Sequence, residues 1–352
     1  MARSRRITQA DVARQCGVSR VAVAVVLGNR PHATTKVSLE TAARIREAAE
    51  KLGYRPNLVA RQLAGARSDA IGVLVSALGA KYDYVRIGRL VAEIEGRAYQ
   101  KRLRIIVGHY ADPAHLQDYV DDFQDRGLDG TLCLNHEAHG HSADLIPGIV
   151  GALENVVFLN QPAGVKQARY VQIDYGVGAR EAVVHLAGRG RKAIGQIVFS
   201  QDFTAMIRRH QGYLEGLAQA GHRPRPELTW AGSGEVHPHP ALIDAAIEQV
   251  IVRGKADAVL ASNDRWAVEL LRALAARKIR VPEDVAVVGY NNQDLAEFTQ
   301  PTLTSIDLAD EAVAEALVDL IAAGLGKSDE ELAALGGQSR SVPTRLVVRQ
   351  SG

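Results

Sequence analysis

The chain has 352 residues, 47% of them hydrophobic and 23% charged, a composition typical of a globular protein with two or three domains. No apolar run approaches the roughly 18 residues of a membrane span. The first residues lead into a polar helix and not into the apolar core of an export signal. These features argue against a membrane protein and predict a protein of the reducing cytoplasm.

Charge is distributed unevenly along the chain. The net charge is +2, but residues 1–67 carry 13 Lys and Arg against 4 Asp and Glu, a balance of +9 that leaves −7 for the remainder. Such a basic N-terminal part predicts a polyanionic partner, whose phosphates the lysines and arginines would neutralise in a salt-dependent manner.

Residues 7–28 predict a helix, a sharp turn and a second helix. Thr8 can cap the first helix together with Asp11, and Gly17 supplies the permissive backbone that ends it. Ser19 can cap the next helix only two residues later, so the connection must be tight. This spacing is typical of a helix-turn-helix.

The residue pattern of the second helix predicts a surface that contacts DNA bases. Its inward side is apolar, which leaves Arg20, Val21 and Val25 facing out. In the major groove of DNA, exposed valines can contact thymine methyl groups and an arginine can donate two hydrogen bonds to guanine. A third helix, capped by Ser38 and closed by Gly53, completes a small three-helix core.

Several motifs resemble the head of a LacI/GalR-type regulator. They are TxxDVA at residues 8–13, GVS at 17–19, LGYRPN at 52–57 and ARxL at 60–63, and the likeness continues through the whole chain. The resemblance implies a homodimeric repressor on a pseudo-palindromic operator of double-stranded DNA, with the second helix in the major groove and a short hinge helix in the minor groove. The chain departs from the family at residues 22–24, where AVA replaces the usual TVS and removes two phosphate-binding hydroxyls.

Two further segments could contact DNA. The polar loop at residues 28–37 could reach phosphates, or it could be a solvated basic loop. Residues 57–63 are too few for a stable isolated helix, so they are expected to fold with DNA and a partner copy, or to form a plain linker helix. The expected DNA-binding residues are Thr8, Ser19, Arg20, Val21, Val25, Asn29, His32, Lys36, Asn57, Ala60 and Leu63.

From residue 71 onward, short apolar runs alternate with amphipathic helices, which is the pattern of an α/β fold. Strands are expected at residues 71–75, 104–107, 131–134, 156–159, 194–198, 256–260 and 285–288. Helices are expected at residues 84–100, 113–126, 176–187, 205–220, 240–252, 265–277 and 307–323.

This alternation predicts parallel sheets covered on both faces and arranged in two lobes, and the family likeness is to periplasmic sugar-binding proteins. The expected domains are an all-α helix-turn-helix head at residues 1–56, a hinge helix and linker at 57–68, and a core for effector binding and dimerisation at 69–352. Lobe 1 is expected at about 69–172 and 301–335, and lobe 2 at about 173–300 and 336–352.

Polar residues follow nearly every apolar run, at the strand ends where open parallel sheets bind ligands. Their amides and hydroxyls suit a hydrogen-bonding small molecule between the lobes, such as a sugar, a sugar acid or a nucleoside, although polar loops are also normal at strand ends. The expected effector-binding residues are Ser76, Tyr84, Asn160, Gln161, Gln201, Arg209, Asn263, Asp264 and Asn292.

The resemblance gives Arg209 the place of the family's effector-binding arginine. At Asn160 and at residues 291–292, amides stand where the family often has carboxylates. With fewer carboxylates in the pocket, the positive charge of Arg209 is less neutralised by the protein, unless Asp202 or Asp264 supplies a negative charge. This pattern favours an effector with a carboxylate or phosphate.

Catalytic and metal signatures are weak. The chain contains neither a glycine-rich phosphate cradle nor a GxSxG motif, so no enzyme activity and no cofactor are predicted. Short histidine tracts at 136–141 and 237–239 lack a second ligand pair, and Cys16 and Cys133 are expected to be buried free thiols. A transport-type binding protein would explain the cleft but not the basic head, so a ligand-responsive transcription regulator is the favoured reading.

Overall fold

The computed structural model describes residues 7–28, 36–54, 67–77, 84–136, 142–200, 204–235 and 237–352. The chain divides into two compact units, Met1–Ser68 and Asp69–Gly352. In the described parts of both units, no helix is long and apolar enough to cross a membrane.

The first unit, called the head, contains three helices in the part that the structure describes. They are α1 (Gln9–Cys16), α2 (Arg20–Gly28) and α3 (Leu39–Lys51). Their shared core contains Val12, Val23 and Ile45, each without exposed surface. The three-helix head predicted from the sequence is therefore confirmed.

Local hydrogen bonds explain where these helices begin and end. The backbone N–H and hydroxyl of Thr8 both donate to the Asp11 carboxylate, at 2.9 and 2.7 Å. Gly17 ends α1 in the left-handed region (φ +63°), and the Ser19 hydroxyl accepts from the N–H of Ala22 at 3.1 Å. Ser38 caps α3 in the same way at 3.2 Å. The predicted caps are confirmed.

The second unit, called the core, contains two parallel-sheet lobes. Among the described residues, lobe 1 has a six-stranded sheet in the order β11-β5-β4-β3-β1-β2, with every strand pair parallel. The strands are β1 (Ala70–Ser76), β2 (Arg104–Tyr110), β3 (Thr131–Leu134), β4 (Val156–Leu159), β5 (Arg169–Asp174) and β11 (Ser339–Pro343). The lobe's helices are α4 (Tyr84–Gln100), α5 (Pro113–Asp125), α6 (Ser142–Ala152), α11 (Asp310–Gly324) and α12 (Asp329–Ala334).

Lobe 2 has a second six-stranded sheet in the described residues, in the order β12-β10-β9-β8-β6-β7. Only β12 runs antiparallel to its neighbour. The strands are β6 (Ile194–Val198), β7 (Thr229–Ala231), β8 (Ala258–Leu260), β9 (Ala286–Tyr290), β10 (Thr304–Asp307) and β12 (Arg345–Val347). The helices are α7 (Tyr175–Gly188), α8 (Thr204–Gln219), α9 (Pro240–Ala246), which continues as a π-helix over Ile247–Arg253, and α10 (Asp264–Ala276).

The chain crosses between the lobes later than the sequence suggested. Strand β5 still belongs to lobe 1, so the first crossing lies at about residue 174, close to the expected 172. Strand β10 belongs to lobe 2 and β11 to lobe 1, which places the other crossings after residues 307 and 343 instead of 301 and 335. The expected boundaries were too early because β10 and β11 are short strands without a long apolar run.

The two cysteines are free thiols in the structure, as expected. Cys133 is buried on β3, and burial raises the pKa of its thiol well above the usual range. Cys16 is only partly buried, so the expectation of a buried thiol is met by Cys133 alone.

Candidate functional site

Helix α2 presents the face expected to read DNA. Val23 points into the head's core, whereas Val21 is 58% exposed and Arg20 is exposed beside it. Val25 is half-buried. The structure thus confirms the predicted inward and outward sides of α2, while contact with DNA remains a prediction.

The two hydroxyls expected at the DNA surface differ in what they can still donate. The Thr8 hydroxyl donates its proton to Asp11, so it has none left for a phosphate. The Ser19 hydroxyl accepts from Ala22, so its own proton remains available. Lys36 is exposed just before α3. We therefore expect Ser19 and Lys36 to approach phosphates and Thr8 mainly to position α1.

Several expected site residues lie outside the described parts of the chain. For the DNA surface they are Asn29, His32, Asn57, Ala60 and Leu63, and for the effector site Gln201. The hinge expected at residues 57–68 falls mostly in the same undescribed region.

Arg209 is the centre of the candidate ligand site in the core. Helix α8 places it against the strand ends of lobe 2, where it is only 7% exposed. Its Nη1 donates to the carbonyl of Ser262 at 2.5 Å and its Nη2 to Oδ1 of Asn291 at 3.3 Å. The guanidinium carbon lies 3.6 Å from the ring centroid of Tyr290, so the ring face stabilises the cation. Burial lowers the pKa of Arg209 from its ordinary value.

The lobe crossing at Tyr175 connects this arginine to lobe 1. The Tyr290 hydroxyl donates to the carbonyl of Tyr175 at 2.5 Å, and the Tyr175 ring centroid lies 5.3 Å from the guanidinium carbon of Arg209. Asn160, at the end of β4, donates from Nδ2 to the Tyr175 hydroxyl at 3.2 Å. Its Oδ1 accepts from the N–H of Ile173 at 3.0 Å. Asn160 therefore touches the site through Tyr175.

Two arginines of helix α4 lie at the lobe boundary. Arg89 donates to the carbonyl of Asn292 in lobe 2 at 3.1 Å, which joins the two lobes directly. Arg86 and Arg89 both pair with the Asp310 carboxylate, at 3.7 and 3.4 Å. Asn292, an expected effector residue, thus lies where the lobes meet.

The pair Asn263 and Asp264 lies at the start of α10 and makes contacts within the protein. The Asn263 side chain caps α10 by accepting from the N–H of Trp266 at 2.9 Å. Asp264 is completely buried and accepts from the Ser305 hydroxyl at 2.5 Å and from the N–H of Gln293 at 2.6 Å. Burial raises the pKa of Asp264 to about 7. We therefore assign Asp264 a positioning role instead of the ligand contact expected from the sequence.

The remaining expected residues surround lobe 1's strand ends. Ser76 is fully buried at the end of β1, Tyr84 is 68% exposed at the first position of α4, and Gln161 is exposed after β4. In the described part of the chain, none of these three side chains contacts Arg209 through a hydrogen bond or a ring.

Sequence reasoning missed the aromatic parts of this site. Tyr290 is the last residue of β9. Its ring packs on the Arg209 guanidinium, and its hydroxyl donates to the Tyr175 carbonyl. Tyr175 follows β5, whose alternation of apolar and polar residues over 169–174 was the available signal.

His136, buried after β3, donates from Nε2 to the carbonyl of Leu159 at 2.8 Å. Burial lowers the pKa of His136 to about 4, so it is neutral at pH 7.

A separate cavity lies along α8 in lobe 2, with a volume of about 630 Å³. Its polar side chains are already engaged: Nδ1 of His210 bonds to Gln196 at 2.7 Å, and Arg225 bonds to Glu227 and to the carbonyl of Gly254. The rest of the wall is mainly apolar, so it offers less for a polar ligand than the surroundings of Arg209. The lining residues are Val198, Ser200, Met206, Ile207, His210, Leu214, Pro224, Arg225, Pro226, Thr229 and Ala231.

Metal ligands are not brought together in the described residues. There, no group of three or more His, Cys, Asp or Glu side chains could hold an ion. The ring of His136 is committed to a backbone carbonyl, whereas His139 and His141 are outside the described ranges.

Two family descriptions match the chain. Residues 8–57 match "Bacterial regulatory proteins, lacI family", and residues 183–352 match "Periplasmic binding protein-like domain". The HTH-type transcriptional regulator CelR of Thermobifida fusca is 32% identical over 369 residues, covering 100% of both chains. The HTH-type transcriptional regulator AscG of Escherichia coli is 29% identical, covering 86% of this chain and 87% of its own.

Solved structures agree with this likeness. A complex of the transcriptional regulator CelR with cellobiose has a TM-score of 0.68 and 26% identity, covering 99% of this chain and 100% of its own. A lac repressor dimer bound to operator and the anti-inducer ONPF has a TM-score of 0.77 over 99% of both chains; at 23% identity it supports the fold alone.

Proposed function

Because the chain belongs to the LacI family of bacterial regulatory proteins, we propose that it is a repressor of transcription whose operator affinity is set by a small molecule bound between its two lobes. The observation that carries this proposal is the presence, in one chain, of the exposed α2 surface and the buried Arg209 at the lobe crossing. A DNA-binding role places the protein in the cytoplasm.

On the DNA side, a homodimer would present two copies of α2 to the half-sites of a pseudo-palindromic operator. Arg20 and Val21 supply base contacts, and Ser19 and Lys36 supply phosphate contacts. In this proposal residues 1–56 form the DNA-binding head, and residues 57–68 form the hinge that orders on the minor groove.

On the ligand side, the core from residue 69 onward holds the effector. Arg209 is the main donor, and the amide of Asn291 lies beside it. The Asn292 carbonyl meets Arg89 at the lobe boundary, and Tyr175 and Asn160 bring lobe 1 into the site. Such a set of donors and acceptors suits a hydroxylated ligand such as a sugar, a sugar acid or a nucleoside. A ligand that contacts both lobes changes their relative arrangement, and a coupling of about 1 to 3 kcal/mol changes operator affinity by roughly 5- to 150-fold.

The test begins with selection of a binding sequence from random double-stranded DNA by the full-length protein. Fluorescence anisotropy then measures affinity for the selected operator with and without each of a panel of sugars, sugar acids and nucleosides. We expect a palindromic sequence, dimer stoichiometry and at least one ligand that changes affinity fivefold or more. Failure to select any sequence, or operator binding that no panel member changes, contradicts the proposal.

Two variants assign the ligand response to the site. Arg209→Gln is expected to bind operator like the native protein but to lose the response to ligand. Arg225→Gln is the matched control, because Arg225 lies on the opposite side of α8 beside the apolar cavity and should keep the response. If Arg225→Gln abolishes the response and Arg209→Gln keeps it, the ligand binds in that cavity instead.

A further inference from the structure

We propose that the effector carries an oxyanionic group, a carboxylate or a phosphate, that pairs with Arg209. This inference rests on the proposed function, because it names the chemical class of the ligand for the same site. It adds a charge requirement that neither the fold nor the relatives' names supply.

The first observation is the set of neighbours around the guanidinium. Arg209 donates to a backbone carbonyl, that of Ser262, and to the neutral amide oxygen of Asn291, and it packs on the rings of Tyr290 and Tyr175. Within the described residues, no carboxylate forms an ion pair with it. A buried cation without a counter-ion is costly, so the site favours a ligand that brings the missing negative charge.

Asp264 attracts Arg209 electrostatically but forms no ion pair with it, whereas Asp202, the other carboxylate considered from the sequence, lies outside the described residues. The two oxygens of Asp264 accept from the Ser305 hydroxyl and the N–H of Gln293. It packs so closely on β9 that a Cβ on Gly289 would lie 2.2 Å from its Oδ1. Burial also raises the pKa of Asp264 to about 7, so near neutral pH it is only partly ionised.

The second observation is that a neutral amide occupies the position where a carboxylate could neutralise Arg209. Asn291 Oδ1 lies 3.3 Å from Nη2 of Arg209, a distance at which an aspartate of the same shape would form an ion pair. A carboxylate or phosphate of the ligand would meet the guanidinium with charge-assisted hydrogen bonds that the protein's own amides do not provide.

The third observation is a second cation close to Arg209. After burial and the rings of Tyr290 and Tyr175, the positive charge of Arg86 is a further influence on the pKa of Arg209, and it lowers that pKa. An anion bound to Arg209 would therefore also be attracted by Arg86 of lobe 1.

The first experiment needs no knowledge of the effector. In the ligand-free, full-length protein, Asn291→Asp supplies an internal counter-ion at the position of the neutral oxygen. We expect its melting temperature at pH 7.5 to exceed that of the native protein by about 2 to 4 °C, because a charge-assisted bond replaces a neutral one. The same change in an Arg209→Gln background should lower the melting temperature, since the new carboxylate then has no partner.

The second experiment compares anionic ligands with related neutral ligands. Binding is measured by calorimetry at constant ionic strength for glucuronate against glucuronamide and for glucose 6-phosphate against glucose. We expect the anionic member to bind at least tenfold more tightly in at least one pair and the Asn291→Asp variant to lose that preference. The two pairs distinguish a carboxylate from a phosphate ligand.

Two results overturn the inference: a melting temperature for Asn291→Asp at or below the native value, or the absence of any pair in which the anionic member binds at least tenfold more tightly than its neutral counterpart. The first would mean that Arg209 is already neutralised. If a neutral ligand also changes operator affinity, the anionic requirement fails while the proposed repressor function stands. Failure of the proposed function is seen separately, in the absence of sequence-selective DNA binding.

Discussion

At the scale of single residues, Arg20 is the side chain of α2 best placed to identify a base, because it is exposed at the first position of that helix. We expect Arg20→Ala to lower operator affinity by about 1 to 3 kcal/mol and to relax the preference at one base position. Anisotropy on the operator and its single-base variants measures both effects.

Lys36 provides the comparison for Arg20, since it lies outside the recognition helix. We expect Lys36→Ala to weaken binding to operator and to random DNA alike. It should also reduce the slope of the logarithm of DNA affinity against the logarithm of salt concentration by about one. An unchanged slope would mean that Lys36 belongs to a solvated loop and does not contact DNA. If Arg20→Ala weakens binding to operator and to random DNA equally, Arg20 contacts a phosphate and not a base.

Asp264 gives a prediction for the dependence of stability on pH. Its pKa in the folded protein, about 7, lies above the ordinary 3.8, so the folded state holds this proton more tightly than the unfolded state. The resulting contribution to stability is complete below about pH 4 and is lost as the pH rises through 7. It is at most on the order of 4 kcal/mol, because one pKa unit corresponds to ~1.4 kcal/mol.

Melting curves of the native protein and of Asp264→Asn between pH 4.5 and 8.5 test this contribution. Asparagine carries no titrating proton, so the melting temperature of the native protein relative to the variant should fall steadily up to about pH 7 and then level off. A difference that is constant over the whole range would show that Asp264 is ionised throughout and that burial does not control its proton.

At the scale of elements, the packing of α7 on α8 holds Arg209 in place. Gly212 lies one helical turn after Arg209, and a Cβ there would lie 2.2 Å from the carbonyl oxygen of Gly176 and 2.6 Å from its Cα. Since these are backbone atoms, Gly212→Ala must push the two helices apart. We expect a cost of about 1 to 3 kcal/mol in unfolding free energy, measured by denaturant titration, together with weaker ligand binding.

Gly148 is the matched control for this element. It lies in an exposed part of α6, and a Cβ there would meet no atom within 4 Å. Gly148→Ala should therefore leave stability unchanged or raise it by up to about 1 kcal/mol, because alanine favours a helix. Equal losses for both variants would mean that helix propensity, and not the close approach of α7 and α8, determines the result.

Local signals in the sequence predicted the helices of the head and most elements of the core. Thr8, Ser19 and Ser38 predicted helix starts because a capping side chain acts within a few residues of its own position. Five strands were missed: β5, β7, β10, β11 and β12. Strand β5 lacks a continuous apolar run because apolar and polar residues alternate along it, and the other four are short and are defined by their pairing with other strands. Helix α6 was missed as well, and it contains Pro147, which argues against a helix in sequence.

For the candidate site, the sequence predicted the arginine and the amides but not their arrangement. Arg209 and Asn160 follow recognisable motifs, whereas Tyr290 reaches Tyr175 across 115 residues and joins two elements that no local pattern relates. Asp264 looked like a ligand contact because it follows a strand, yet its partner Ser305 belongs to β10, which the sequence did not reveal. The contacts of Tyr290 and Asp264 both join residues far apart in the chain, and the local spacing of residues does not predict such contacts.

At the scale of the whole core, the contact between Arg89 and Asn292 offers a way to change the balance between lobe arrangements. Arg89 of lobe 1 donates to the Asn292 carbonyl of lobe 2 at 3.1 Å, so this bond stabilises the arrangement of the lobes that the structure shows. Arg89→Met removes the bond while keeping an apolar stem of similar length. Hydrogen bonds from charged donors contribute about 1.5 to 3 kcal/mol, and partial exposure of Arg89 reduces that value.

We therefore expect Arg89→Met to change ligand affinity and ligand-free operator affinity together, each by roughly three- to tenfold, because both depend on one equilibrium between lobe arrangements. Opposite changes identify the ligand as an inducer, and changes in the same sense identify it as a co-repressor. Arg97→Met is the control, since Arg97 pairs with Glu311 and Glu315 of α11 within lobe 1 and should change neither affinity. If Arg89→Met changes ligand affinity alone, Arg89 is a ligand contact and the lobes signal to the head by another connection.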